Sequence, residues 1–124
     1  MSKSPVAFDI YFTRHIVEDE QGWIDWRLQT GGAAEIVNIE VDAAWRGRGV
    51  GAKLFERMLA ELPPEVGVVY AFTTRGNVLA QAWYRKQGFE LTLVPRFYAA
   101  RGEDAFCCVK RIQGSGFSDG LRPT

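Results

Sequence analysis

Histidine occurs once in this chain, as His15, and cysteine only as the adjacent pair Cys107 and Cys108. Neighbours on a strand point to opposite faces, so the pair is not expected to close a disulfide, and a reducing compartment, the cytoplasm, is implied. Without spaced cysteines or a second histidine the ordinary metal-ligand patterns are missing, and no metal site is expected. Long apolar runs are also lacking. The opening "MSKSPVAFDIYFTRH" reads neither as a signal peptide nor as a spanning helix, so no membrane partner is expected. Nor is there an excess of either charge: 15 basic residues balance 15 acidic ones, which removes any global attraction to nucleic acid. An anion site, if present, has to be local.

What is present suits one domain. The 124 residues are 47% hydrophobic and 24% charged, enough for a single core. "VAFDIYFTRHIV" and "WIDWRLQT" are rich in aromatic and β-branched residues and read as a hairpin around the polar Glu18–Gly22. Gly31 and Gly32 turn the chain into a third strand, Ala33 to Asp42. Val50, Leu54, Phe55, Met58, Leu59 and Leu62 recur at helical spacing, and Pro63 with Pro64 ends that helix. "VGVVYAFTT" is a short apolar strand. Asn77 is placed as the N-cap of a helix over Val78–Gln87, with Gly88 its left-handed stop. "FELTLV" and "DAFCCVKRI" give two further strands around a turn at Pro95–Gly102. The order β-β-β-α-β-α-β-β predicts an α/β (α+β) fold, a mixed sheet with two helices packed on it. Residues 1–112 form the domain, and 113–124, glycine-rich and polar, are expected as a flexible tail or as a segment packed on a partner subunit.

The stretch "WRGRGVGAKLFERMLAEL" places Gly47, Gly49 and Gly51 at alternate positions just where a helix begins. Helix N-termini carry unpaired N–H groups and partial positive charge, and glycines let an anion approach them. Arg46 and Arg48 add charge. A P-loop is excluded, because Ala52 stands where its second glycine belongs and Leu54 where a Ser or Thr must reach magnesium. Gly47, Gly49 and Ala52 do satisfy the dinucleotide fingerprint, yet "FTTRG", at the end of the next strand, offers no acidic residue for a ribose. A plain turn before a helix is the bland alternative.

Arg46-x-x-Gly49-x-Gly51 at a strand–helix junction resembles the pyrophosphate loop of the GCN5-related N-acetyltransferase (GNAT) family. A second signature, in register with it, strengthens the match: in "NVLAQAWYRKQGF", Asn77, Ala80, Tyr84, Gly88 and Phe89 fit the family spacing N-x-x-A-x-x-x-Y-x-x-x-G-F. "RGEDAFCCVKR" is similar to the family's last strand. Ordinary core aromatics would be the alternative for Tyr84 and Phe89.

The resemblance implies an enzyme, an acetyl-CoA-dependent N-acetyltransferase that passes the acetyl group to a primary amine by direct attack on the thioester. Backbone groups of Arg46, Gly47, Arg48, Gly49, Val50, Gly51 and Ala52 would hold the diphosphate, with Asn77, Ala80 and Tyr84 on the second helix. Ile39, Glu40 and Val41 would pair with the pantetheine arm, and an N–H among them would polarise the acetyl carbonyl. The strands "IVNIEV" and "VVYAFTT" are expected to splay apart. Tyr84 is the implied general acid for the leaving thiolate. Glu35, Asn38 and Glu40 are the polar groups available for the base, with Glu35 favoured over Glu40, because its spacing of eleven residues from Arg46 resembles that of the glutamate base in the histone-acetyltransferase branch of the family; a glutamate on an apolar strand is expected to be partly desolvated. A salt bridge from Glu35 to Arg14 or Arg27 is the structural alternative. Strict alternation puts Glu35, Val37, Ile39 and Val41 on one face and Asn38, Glu40 and Asp42 on the other, unless a bulge intervenes. His15 lies on the hairpin and borders the acceptor cleft or faces solvent.

The family usually has a strand and two helices before its second strand, whereas here about 32 residues precede Ala33. An open acceptor cleft is expected, or one completed by another subunit in a homodimer. A non-catalytic acyl-CoA-binding module of the same fold is the alternative function.

Overall fold

A computed structural model describes residues 14–17, 20–29 and 31–112. The expected start of the first strand, before Arg14, and the tail 113–124 lie outside these described residues. The elements run β1 (Arg14–Val17), β2 (Gly22–Gln29), β3 (Ala33–Val41), α1 (Val50–Glu61), β4 (Val68–Thr74), α2 (Val78–Lys86), β5 (Glu90–Tyr98) and β6 (Glu103–Arg111). This is the expected order. The strands form one six-stranded sheet, β1-β2-β3-β4-β6-β5, in which β3 and β4 are the parallel neighbours and the other pairs are antiparallel. No helix among the described residues is long and apolar enough to cross a membrane.

Both helices cover the same face of the sheet. Each lies in a crossover that advances from β3 towards β5, and right-handed connections in one direction put their helices on one side. Val50, Leu54, Phe55 and Met58 of α1 and Tyr84 of α2 are buried there against Ile24, Trp26, Ala34, Ile36, Val69 and Cys108. Burying side chains of this size stabilises the fold by about 1.5–3 kcal/mol each. The ring of Phe55 meets Trp83 at 6.0 Å and Phe89 at 5.6 Å, so the helices also pack on one another.

The end of α2 explains part of the second signature. Gly88, with φ +93°, donates to the Arg85 carbonyl at 3.0 Å, and the next residue, Phe89, donates back to Tyr84 at 3.0 Å. This pair of bonds is a Schellman cap, and the Tyr84–Phe89 rings, 5.0 Å apart and edge-on, supply its hydrophobic contact. Spacing Y-x-x-x-G-F is therefore the spacing a helix stop requires.

Two irregularities shape the sheet. On β3, Asp25 pairs with Asn38 but Trp26 pairs with Ile36, which leaves Val37 as the extra residue of a bulge. The bulge cancels the strict alternation expected along this strand. Ala34 and Ile36 face the core before it, Ile39 and Val41 pack towards the core after it, and Glu35, Asn38 and Glu40 share the helix-free side. On β5, the expected turn at Pro95 is absent. The strand continues to Tyr98 through a register shift between Val94 and Tyr98, where Pro95 has no ladder donor to lose. Arg96 sits there at φ +57°, and its N–H donates to the Asp104 carboxylate at 2.7 Å. The other carboxylate oxygen accepts from Arg75 at 2.9 Å.

Candidate active site

The parallel pairing of β3 with β4 covers only Ala33–Glu35 against Val68–Tyr70. Beyond it the bulge at Val37 turns β3 away, so the strands splay. Backbone groups on the β4-facing edge of Val37–Val41 consequently lose a ladder partner and are left for another extended chain.

The β3–α1 connection reaches the mouth of this splay. Asp42 accepts from Ala44 N–H at 3.2 Å through its side chain and starts a single 3-10 turn, Ala43–Trp45. Arg46 Nε donates to the Val41 carbonyl at 3.1 Å, tying the loop to the end of β3. Gly49 then serves as N-cap of α1 in the left-handed region, φ +83°, where a Cβ is disfavoured. No side chain caps this helix, and Lys53 N–H donates to Gly49 O at 3.0 Å. The N–H groups of Val50, Gly51 and Ala52 are the orphan donors of that terminus. By contrast α2 is closed internally, since Asn77 accepts from Ala80 N–H at 3.1 Å.

These elements enclose a cavity of about 540 Å³. Its lining includes Ile39, Glu40 and Val41 of β3, then Arg46, Gly47, Gly49, Val50, Gly51 and Ala52 of the loop and α1. Asn77, Ala80 and Tyr84 of α2 complete the set that the sequence brings to mind. Arg48 does not line it; its guanidinium lies over the Trp45 ring, 5.1 Å from the centroid. Asn38 lines the cavity and Glu35 does not. Glu35 is instead held by Arg27, with Nε at 3.0 Å and Nη2 at 2.9 Å, and by Gln29 at 3.3 Å. Its surroundings are therefore an ion pair rather than the apolar strand expected. His15 stands opposite Asp25 in the β1–β2 register.

Tyr84 is 5% exposed, with Trp83 edge-on at 5.1 Å. Burial, and secondarily the neighbouring Cys108, push its phenol well above the ordinary tyrosine value. The hydroxyl is therefore protonated at neutral pH. On the helix-free side Tyr70 is raised too, first by burial and then by Glu35, its register partner on β3.

Three contributors escaped sequence reasoning. Trp83 lines the cavity one residue before Tyr84, in a signature position that specifies no residue type. Gln81, buried within α2, donates to the carbonyls of Thr74 at 3.2 Å and Arg75 at 2.7 Å and so fixes the β4–α2 turn. Asp104 ties that turn to the β5 irregularity across a sequence separation of 29. A helical glutamine and a strand aspartate give no local signal of such bonds.

A mixed sheet with one splayed parallel pair, carrying an uncapped helix N-terminus beside the splay, defines the α+β class of this chain. Residues 12–89, more than half of the chain, match the sequence profile of the Acetyltransferase (GNAT) family, and the chain belongs to that family. It is 40% identical over 80 residues to the uncharacterized protein ML0378 of Mycobacterium leprae (strain TN), covering 64% of this chain and 22% of that protein. It is 38% identical over 73 residues to the N-alpha-acetyltransferase RimI of Mycobacterium tuberculosis (strain ATCC 25618 / H37Rv), covering 58% of this chain and 45% of that one. Among solved structures, nourseothricin acetyltransferase superposes with a TM-score of 0.65 at 26% identity, over 73% of this chain and 57% of that chain. The matches thus span less than half of each of those two mycobacterial relatives.

Proposed function

We propose that the protein is an acetyl-CoA-dependent N-acetyltransferase acting on a primary amine. The observation that carries this reading is the shared cavity: an uncapped, glycine-flanked helix N-terminus, the splayed edge of β3 and a buried tyrosine all open on it. The residues suit the coenzyme. Orphan N–H groups of Val50, Gly51 and Ala52 fit a diphosphate. The free edge of Val37–Val41 fits the amides of a pantetheine arm. Similarity to an N-alpha-acetyltransferase supports an amine acceptor.

In the reaction the amine nitrogen attacks the thioester carbonyl, a C–N bond forms and the C–S bond breaks. An N–H of the β3 edge stabilises the developing oxyanion. The departing thiolate takes the phenolic proton of Tyr84, and the amine gives its proton to a carboxylate on the helix-free side of β3. Glu40, exposed and on the cavity wall, is available for that role; Glu35 would first have to release Arg27. A coenzyme-binding module without turnover is the second reading, and the engagement of Glu35 is what favours it. Tyr84→Phe separates the two. As an enzyme the variant should release free thiol at a rate lowered about 10²–10⁴-fold over a panel of amines. Its coenzyme affinity should be unchanged by calorimetry. An unmodified chain that binds coenzyme A yet acetylates none of the amines would leave the binding module standing.

A further inference from the structure

The indole of Trp83 occupies the space beside Gly51. An ideal Cβ built on Gly51 would lie 2.7 Å from Nε1, 3.2 Å from Cε2 and 3.5 Å from Cζ2 of that ring. The ring edge that carries the N–H therefore rests against the first turn of α1. Two further aromatic contacts fix it there, Phe55 at 6.0 Å and Tyr84 at 5.1 Å, both edge-on. Trp83, partly buried, also lines the cavity, and among the described residues no protein group accepts a hydrogen bond from its Nε1; the buried side-chain donor without a partner there is Trp26 Nε1, in the core.

An indole N–H can only donate, and tryptophan side chains in packed surroundings usually find an acceptor. Here the indole N–H lies against Gly51 in the first turn of α1, a turn whose backbone N–H groups have no helical acceptor either. Donors without acceptors, gathered at the positive end of a helix, suit a ligand that consists of acceptors only and carries negative charge. We propose that Trp83 Nε1–H is a further hydrogen-bond donor to the diphosphate of the coenzyme. On this assignment Trp83 is a binding residue, and the absence of a side chain at Gly51 is what admits it. The inference rests on the reading of the cavity as a coenzyme A site.

The test uses the full chain labelled with ¹⁵N, whose four tryptophans give separate indole signals. Trp83→Phe keeps an aromatic ring in place, removes the N–H and assigns the Trp83 signal by its disappearance. On saturation with coenzyme A the Trp83 indole proton should move downfield. With S-acetylpantetheine, which lacks the diphosphate, that displacement should be absent. Calorimetry should show coenzyme A bound roughly tenfold more weakly by Trp83→Phe, the loss of one hydrogen bond to a charged acceptor. A stationary indole signal at saturation overturns the inference, and so does unchanged affinity in the variant or an equal displacement by S-acetylpantetheine. Failure of the unmodified chain to bind coenzyme A at all overturns the reading of the cavity together with this inference. The spectroscopic arm uses the native sequence, so the inference stays open to refutation even if the variant folds poorly.

Discussion

The contact between Gly51 and Trp83 makes a quantitative prediction about stability, independent of any ligand. Gly51 lies inside α1, where glycine is a poor helix former and alanine would ordinarily stabilise by about 1 kcal/mol. The added methyl would stand 2.7 Å from Trp83 Nε1, closer than packed atoms tolerate. Relief requires the indole to move against Phe55 and Tyr84, and overpacking of this kind costs about 1–3 kcal/mol. The net expectation for Gly51→Ala is therefore a loss of about 1 kcal/mol, lowering Tm by roughly 3–5 °C. In a Trp83→Leu background the obstacle is gone and the same substitution should stabilise, by up to about 1 kcal/mol. Urea melts of the four chains of this double-mutant cycle would measure the coupling. The diagnostic is a change of sign between backgrounds. If alanine at this position stabilises the native chain, or has the same effect with and without the indole, the packing argument is wrong.

Three shorter predictions follow from named contacts. Asn77→Ala removes the side-chain cap of α2 and should cost about 1 kcal/mol in a urea melt; a neutral result would mean that the 3.1 Å bond to Ala80 contributes nothing. The Asp104 carboxyl is held below the usual range, first by the Arg96 N–H and then by Arg75. A group whose folded pKa is depressed contributes stability above about 3.9, its unfolded value, and loses it as pH falls through the folded value. The Tm difference between the native chain and Asp104→Asn should thus be present at neutral pH and close at strongly acid pH, and a gap independent of pH would refute the assignment. Burial pushes the Cys108 thiol up to about 12, with Cys107 adding to the shift, while Cys107 itself is raised less and is half-buried. Iodoacetamide at mildly alkaline pH should therefore modify Cys107 well before Cys108 in the folded chain, as peptide mass spectrometry can read, and equal rates would contradict the packing of β6.

Much of this architecture is legible from residue order because its signals are local. The apolar repeat of α1, the Asn77 cap and the Gly88 stop each act within a few residues, and the observed ends of both helices lie within one residue of those expected. The β3 bulge was also written in the sequence, in a form that strict alternation conceals. Ala34 and Ile36 are apolar around a polar Glu35, Ile39 and Val41 are apolar around a polar Glu40, and the two series are out of phase. The consecutive apolar pair Ile36–Val37 marks where the phase slips. Asp104 and Trp83 were not legible, since one acts on partners far away along the chain and the other on a glycine of a different helix.

The irregular positions have a common consequence that regular elements could not supply. A β3 without its bulge would keep the phase that opposes Glu35 to Glu40, and a ladder continued along β4 would close the splay. A side chain at Gly51 would displace Trp83, and a residue with a Cβ would strain the left-handed Gly49 at the cap. Each departure leaves backbone or side-chain donors without an internal partner around one cavity, while comparable groups elsewhere, at the start of α2 and at its end, are satisfied within the fold. Unpaired donors near a cavity are unfavourable unless water or a ligand receives them. Local rules break where a protein uses its surface; the irregularity at Arg96 on β5 is satisfied by Asp104, whereas those of β3, α1 and α2 leave donors facing one cavity, as a bound anion there would require.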